Sequence, residues 1–125
     1  MPTTIDSVCQ SLAAIAPIRL AEDWDNVGLL IGDRTRSANR ILTCLTVTPD
    51  VVDEAVRDSV DLIVAHHPLP FRPLKRITCD STGGAMLWRL IGASIAVYSA
   101  HTAFDSAAEG INQSWADALQ LESVG

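Results

Sequence analysis

All three histidines of the chain lie in two short segments, and the second segment also contains an aspartate. His66 and His67 are adjacent and precede Pro68, and His101 precedes Asp105 by four residues. Imidazole and carboxylate groups are the usual protein ligands of zinc, iron and manganese. One such segment alone is weak evidence, because a lone histidine near an apolar strand is more often a hydrogen-bonded structural residue. The concentration of every histidine in two segments predicts a shared metal site.

The number of ions at such a site depends on backbone geometry. Adjacent residues of an extended chain point to opposite faces, and Pro68 keeps His67 extended, so this pair favours two ions bridged by Asp105. Two ions need about eight ligand positions, whereas the segments offer three histidines and one aspartate. Either the site holds one ion, or further ligands come from another chain or from absent sequence. Glu109, about one helical turn after Asp105, is a local candidate.

The elements that must position these residues alternate between helical and β-rich spacing. Helices are predicted over 5–15, 49–56, 84–91 and 108–119, and strands over 41–47, 61–65 and 94–99. A strand, a helix and another strand form a βαβ unit, whose two strands are parallel. The sequence therefore predicts an α/β fold with a mixed, largely parallel sheet, βαβ units and helices on its faces.

The histidine segments follow two of these predicted strands. His66 and His67 come directly after 61–65, and His101 and Asp105 come after 94–99. Open parallel sheets bind ligands beyond the carboxyl ends of their strands. We therefore expect these side chains to converge, although Asp105 lies 38 residues beyond His67.

Composition narrows the class of protein. The 125 residues make a single domain the natural expectation, and the net charge of −6 argues against a nucleic-acid partner. No apolar stretch reaches the ~20 residues of a membrane span, and the N-terminus lacks a basic region leading into an apolar one. Cys9, Cys44 and Cys79 show no disulfide or zinc-thiolate spacing. These features predict a cytoplasmic protein without a membrane association.

Three segments resemble the NIF-three-like family of dinuclear metal proteins, often labelled GTP cyclohydrolase I type 2 homologues. They are WDNVGLLIGD at 24–33, DLIVAHHPLPFRPLKR at 61–76 and AVYSAHTAFD at 96–105, with GIN following at 110–112. The resemblance covers nearly the whole chain in the correct order. It implies that His66, His67 and Asp105 bind two divalent ions, and that His101 faces the site without binding a metal directly.

The resemblance also implies that residues 1–125 form a single NIF-three-like domain, an N-terminal fragment with half of the family's fold. Family members are longer, and their distal half contributes a further histidine and a glutamate to the metals. Thr46 stands where the family frequently has an aspartate in its first-strand segment. An incomplete chain should expose apolar surface, so we expect a homo-oligomer.

Two functions from different classes follow. The first is a metal-dependent hydrolase-like enzyme acting on a nucleotide or similar small molecule, with His101 placing a proton. The second is a non-catalytic metal-binding protein or an oligomeric scaffold. A closed ligand sphere without an open position would favour the second.

Other residues have simpler interpretations. Gly28 and Gly32 lack the spacing of a phosphate loop and are expected to serve a turn and close backbone approach. The only compact basic cluster, in the loop after the paired histidines, is either a solvated surface or an anion contact beside the metals; it consists of Arg72, Lys75 and Arg76. The three tryptophans are expected in core or half-core positions; they are Trp24, Trp88 and Trp115.

Overall fold

Parallel strands joined by helices form the centre of the structure, a computed structural model that describes residues 3–122. The strands are β1 (Gly28–Ile31), β2 (Ile41–Cys44), β3 (Leu62–Ala65) and β4 (Ala96–Ser99). The helices are α1 (Ile5–Ile15), α2 (Pro49–Arg57), α3 (Thr82–Gly92), α4 (His101–Asp105) and α5 (Ile111–Ala118). A short 3-10 turn, Ile18–Leu20, follows α1.

The four strands form one mixed sheet in the order β1-β4-β3-β2. β3 is parallel to both β2 and β4, whereas β1 is antiparallel to β4. The connections β2-α2-β3 and β3-α3-β4 are both βαβ units, because each joins neighbouring parallel strands through one helix. The predicted α/β fold with a largely parallel sheet is confirmed.

Helices cover the two faces of the sheet unequally. One face packs against α2 and α3 around a core that includes Val52, Leu90, Ile63 and Val97. The other face packs against α1, and its buried cluster is Ile5, Cys9, Ala38, Leu62, Ala96 and Tyr98. Alternate strand residues supply the two cores, as the period of two in a pleated strand requires.

Local sequence signals set the ends of the first two helices. The Thr4 side chain accepts a hydrogen bond from the backbone N–H of Ser7, and the Ser7 hydroxyl in turn accepts one from the backbone N–H of Thr4. α1 ends at Ile15, two residues before Pro17, since proline disfavours helical backbone in the residue before it. Thr48 caps α2, and Pro49 is its first residue. Both predicted helices are confirmed.

The sequence does not predict the strand β1, but the glycines at its two ends serve a turn and a close backbone approach as expected. Gly28 and Gly32 have φ angles of +98° and +133°, in the region that L side chains rarely adopt. A Cβ atom on Gly32 would lie 2.5 Å from the Cβ of Ala96, so only glycine allows the chain to pass this close to β4. The run of three apolar residues in β1 does not distinguish a strand from a buried helical segment.

Two expectations about the helices and tryptophans are wrong. The predicted helix 108–119 is the shorter α5, and α4 precedes it as a separate helix. The three tryptophans are not core residues, because each is 62% exposed; they are Trp24, Trp88 and Trp115. Trp88 follows the buried Leu87 by one position, which turns its side chain by about 100° away from the core. Trp24 lies in an irregular turn before β1.

A large amount of apolar side-chain surface is exposed in this structure. Ile111, Trp115 and Leu119 are exposed at spacings of four residues, so they lie on one face of α5 and its end. Ile41 on β2 and Leu45 just after it are exposed as well. The exposed apolar side chains agree with the expectation that this chain exposes apolar surface. The expected homo-oligomer stays a prediction. None of the helices within residues 3–122 has both the length and the apolar character needed to cross a membrane.

Candidate metal centre

Three imidazole rings meet at the carboxyl edge of the sheet. His66 and His67 follow β3, and His101 opens α4 just after β4. One ring nitrogen from each histidine lies within 4.8 Å of those of the other two. The ring centroids are 5.2 Å apart for His66 and His67, 5.2 Å for His66 and His101, and 5.6 Å for His67 and His101. We call these three residues the histidine cluster.

The backbone bend after β3 brings the adjacent histidines together. β3 ends at Ala65, and the chain bends at His66 and His67. The backbone N–H of His67 still donates to the carbonyl of Leu45 at 3.0 Å, and the Ser99 hydroxyl donates to the carbonyl of His66 at 2.7 Å. The expectation that the two rings point to opposite faces is therefore wrong, because strand geometry ends before His66.

Asp105 lies beside the histidine cluster, at the end of α4. Its Oδ1 atom is 3.8 Å from Nε2 of His66. The predicted convergence of Asp105 with the paired histidines is therefore observed. Glu109 is exposed and lies between α4 and α5, outside the helix that contains Asp105.

The ionisation of His66 is set mainly by its burial. Burial lowers the pKa of His66, and the attraction of the Asp105 carboxylate only partly offsets this. The neighbouring rings of His101 and His67 lower that pKa further. A neutral imidazole with a free lone pair is the form that binds a metal ion, so the surroundings of His66 favour the binding form.

A buried carboxylate orients His101. Nδ1 of His101 lies 2.9 Å from Oδ1 of Asp25, whose side chain is fully shielded from solvent. The same carboxylate accepts hydrogen bonds from the Thr102 backbone N–H and hydroxyl and from the Asn26 backbone N–H. Burial by itself raises the pKa of Asp25, but the hydrogen bonds from His101 and Thr102 outweigh it and lower the pKa to about 2. Asp25 is therefore an anion held in place by its donors.

The start of α4 is tied to the loop before β1. The Thr102 hydroxyl accepts a hydrogen bond from the Glu22 backbone N–H at 2.9 Å, while it donates to Asp25. His101 has a φ of 28°, which is unusual for a residue with a side chain and costs about 1–3 kcal/mol. The contacts of His101 and Thr102 with Asp25 hold this backbone in place.

A hydroxyl group orients His67 in a similar way. Oγ1 of Thr46, in the loop after β2, lies 2.7 Å from Nδ1 of His67. In both His67 and His101, Nδ1 is therefore occupied by an oxygen partner, which leaves Nε2 as the free ring nitrogen. Metal-binding histidines in proteins usually have such a partner on the other ring nitrogen.

The sequence predicts the positions of the histidines and of Asp105, but it indicates no role for Asp25. Asp25 lies 76 residues before His101 and precedes the antiparallel strand β1, which was not predicted. An antiparallel strand enters the sheet at the edge where its parallel neighbours leave it. The prediction of β1 would therefore have placed Asp25 at the histidine edge.

Comparison with known proteins identifies the family. The family model of Duf34/NIF3 (NGG1p interacting factor 3) matches residues 3–125. A protein of Clostridium acetobutylicum named GTP cyclohydrolase 1 type 2 homolog is 41% identical over 122 residues, which are 98% of this chain and 46% of that protein. A Listeria monocytogenes protein of the same name is 43% identical over 110 residues, which are 88% of this chain and 30% of that protein.

Solved structures show the same fold. Reduced HcgD from Methanocaldococcus jannaschii has a TM-score of 0.91 and 28% identity, covering 98% of this chain and 49% of that one. The Bacillus cereus protein related to NIF3 has a TM-score of 0.89 and 36% identity, covering 98% of this chain and 34% of that one. This chain thus spans less than half the length of these relatives. With the match over residues 3–125, it belongs to the Duf34/NIF3 (NGG1p interacting factor 3) family.

Proposed function

We propose that this chain binds a divalent metal ion, zinc, iron or manganese, and takes part in a metal-dependent hydrolytic reaction on a small molecule. The observation that carries the proposal is the histidine cluster, in which three ring nitrogens lie within 4.8 Å of one another. Imidazole suits zinc and iron, and a carboxylate such as Asp105 suits manganese. The orientation of His67 by Thr46 and of His101 by Asp25 supports the same proposal.

The spacing of the cluster fits one ion after the rings move closer together. Two nitrogens on one tetrahedral ion are about 3.4 Å apart, for a metal–nitrogen bond of about 2.1 Å. The ring nitrogens, which lie within 4.8 Å of one another, therefore need to approach by up to about 1.4 Å. Asp105, 3.8 Å from His66, is the nearby carboxylate that we assign as the fourth ligand, in line with the sequence prediction.

His101 has one ring nitrogen for two candidate roles. Because Nδ1 contacts Asp25, only Nε2 remains to reach the cluster, and one nitrogen cannot bind a metal and carry a proton at the same time. We assign Nε2 of His101 to metal binding. The sequence predicts instead that His101 places a proton. Experiment distinguishes the two roles, because replacing a proton carrier should leave metal binding intact, whereas replacing a metal ligand should not.

The chemistry of a bound divalent ion is Lewis acidity toward a substrate oxygen. The residues of this chain would bind the ion through imidazole and carboxylate groups and keep the rings oriented through Asp25 and Thr46. We propose a nucleotide or a similar small molecule as substrate, which the name GTP cyclohydrolase 1 type 2 homolog of the relatives supports. A second ion would need ligands beyond these four side chains, and we propose another chain or a further segment as their source.

The test of metal binding is a zinc titration of the purified chain by calorimetry, with metal content measured by mass spectrometry. His66→Ala and His101→Ala should each weaken binding by more than about 100-fold, since even the loss of a partner behind a ligand costs about 10- to 100-fold. Cys79→Ser is the control, because Cys79 is an exposed thiol that could bind zinc without the cluster. Unchanged affinity in His66→Ala would contradict the proposal. If His101→Ala keeps its zinc, His101 is not a ligand.

A second candidate function, a non-catalytic metal-binding or oligomeric scaffold protein, is favoured by the exposed apolar face of α5 at Ile111, Trp115 and Leu119. Hydrolysis of p-nitrophenyl phosphate by the zinc-loaded chain separates the two functions. The enzyme should lose this activity in EDTA and in His66→Ala. A scaffold should show none, and Trp115→Ser should lower its mass in analytical ultracentrifugation.

A further inference from the structure

Two exposed aromatic rings flank the histidine cluster. Trp24 is 62% exposed in the turn before β1, and Phe71 is 42% exposed in the loop after the paired histidines. Their ring centroids are 6.1 Å apart with an angle of 35° between the planes. Single exposed aromatic residues are common on protein surfaces. Here, however, two segments far apart in sequence bring their rings into one pair, which we call the aromatic pair.

The aromatic pair is in direct contact with the proposed metal site. The His101 ring centroid is 6.4 Å from that of Trp24 and 6.1 Å from that of Phe71. The His101 ring meets each of them nearly edge to face, at 79° and 74°. A planar molecule resting on the aromatic pair would therefore lie about one ring width from the histidine cluster.

The aromatic pair lines a cleft with a cationic side. The cleft has a volume of about 370 Å³, and its walls include Trp24, Phe71, Asn26, Arg72 and also Asp25, whose carboxylate is shielded from solvent. This volume lies within the ~300–1,000 Å³ of small-molecule sites. Arg72 belongs to the basic cluster with Lys75 and Arg76, in a chain whose net charge is −6. An anion is therefore favoured at this side of the cleft over most of the acidic surface.

A hydrogen bond fixes the two walls of the cleft relative to each other. The Asn26 side-chain amide donates to the carbonyl of Pro70 at 2.7 Å. Asn26 and Pro70 lie next to Asp25 and Phe71, so this bond connects the loop that orients His101 to the loop that carries Phe71. A preformed cleft loses less conformational entropy when a ligand binds.

We propose that this cleft is the subsite for a planar heteroaromatic ring that carries a phosphate group. The ring stacks on Trp24 and Phe71, and Arg72 binds the phosphate. The proposal rests on the proposed function in one respect, because it names the substrate class of the same site. Binding of the ring itself depends on the aromatic pair and not on the metal.

The test uses AMP, adenosine, ribose 5-phosphate and inorganic phosphate as probes, with calorimetry on the zinc-loaded full chain. AMP should bind more tightly than adenosine and than ribose 5-phosphate, because it has both the ring and the phosphate. Trp24→Ala should weaken AMP binding by about 5- to 100-fold, the usual loss for one stacking side chain. Trp24→Phe should retain most of the binding. Arg72→Ala should weaken AMP binding but leave adenosine binding unchanged.

Trp88→Ala is the matched control, because Trp88 is exposed to the same extent but lies on α3. Equal AMP affinity in Trp24→Ala and the unmodified chain, or AMP binding no tighter than ribose 5-phosphate, would overturn the subsite. A fall in oligomer mass in Trp24→Ala without a loss of AMP affinity would assign the aromatic pair to a protein interface and also overturn it.

Zinc content separates this proposal from the proposed function. Trp24→Ala should keep its zinc while losing AMP, whereas His66→Ala should lose zinc and keep ring stacking. If the chain binds zinc but does not bind AMP, the result would support the metal site and contradict the subsite. If the chain binds no zinc but binds AMP in a way that depends on Trp24, the result would support the subsite and contradict the proposed function.

Discussion

Two histidines of the cluster are oriented by oxygen partners of different kinds. His101 contacts the shielded, charged carboxylate of Asp25 at 2.9 Å, while His67 contacts the exposed, neutral hydroxyl of Thr46 at 2.7 Å. The shorter contact should nevertheless be the weaker one, because water can replace an exposed hydroxyl but cannot reach Asp25. Burial and charge, and not distance, are therefore expected to decide how firmly each ring is held.

The largest expected effect comes from breaking the stronger of these two contacts. Asp25→Asn removes the negative charge that faces His101 and the Thr102 donors, and should reduce stability by about 2–4 kcal/mol. It should also weaken zinc binding by about 10- to 100-fold. Urea unfolding and zinc titration measure the two effects. Asp23→Asn, at an exposed position two residues earlier, should change neither. Equal results for both variants would contradict the role of Asp25.

Acid should have the next largest effect, and it acts on the same carboxylate. The pKa of Asp25 is lowered from 3.8 to about 2 in the folded chain, so the anion stabilises the fold above about pH 4. That contribution, about 2 kcal/mol, is lost as the pH falls through about 2. Urea unfolding of the metal-free chain from pH 6 to pH 2 should show a steeper loss than in Asp25→Asn. Parallel curves would mean that Asp25 has an ordinary pKa.

The weaker contact should give a smaller change, limited to metal affinity. Thr46→Val should weaken zinc binding by about tenfold, since it removes the partner of His67 Nδ1. Stability should change by less than about 1 kcal/mol, because the group is exposed. Thr43→Val, at an exposed position of β2, is the control. Thr46→Asp sharpens the comparison, because a carboxylate there should restore zinc affinity above that of Thr46→Val. Failure of Thr46→Asp to do so would show that the kind of partner does not matter.

The smallest effect is expected for a buried polar group without a partner. The Tyr98 hydroxyl is buried and forms no hydrogen bond with any group in residues 3–122. Tyr98→Phe should therefore change stability by less than about 1 kcal/mol. Neighbouring Ser99 donates to the His66 carbonyl, so Ser99→Ala should cost about 1–3 kcal/mol. Thermal unfolding measures both, and a larger loss in Tyr98→Phe would indicate a partner for that hydroxyl.

The sequence predicts the parallel part of the fold because its signals are local. Thr48 and Pro49 mark the start of α2, and apolar runs mark β3 and β4, so the positions of His66 and His101 at one edge follow from strand order. The bend at His66 could not be predicted, because Pro68 indicates extended backbone at His67 and no local signal marks a bend one residue earlier. The role of Asp25 could not be predicted either, since it requires the antiparallel placement of β1.

The burial of individual side chains is harder to predict from the sequence than the position of the helices that carry them. Apolar periodicity identifies a helix, but it does not say whether another element covers the apolar face. In α3, Leu87 and Leu90 are buried, whereas Ile91 is exposed. In α5, Ala116 is buried while Trp115 is exposed, although tryptophan is the more apolar side chain of the two. Such differences depend on tertiary packing, which short sequence patterns do not contain.

The backbone N–H of Thr102 points at the Asp25 carboxylate and not at another peptide group. Its exchange with deuterated solvent therefore requires the loop around Asp25 to separate from the start of α4. Opening of the site and exchange of this one amide are the same event. The exchange rate of the Thr102 amide, measured by NMR, thus reports how often His101 loses its contact with Asp25. The measurement needs no ligand or substrate.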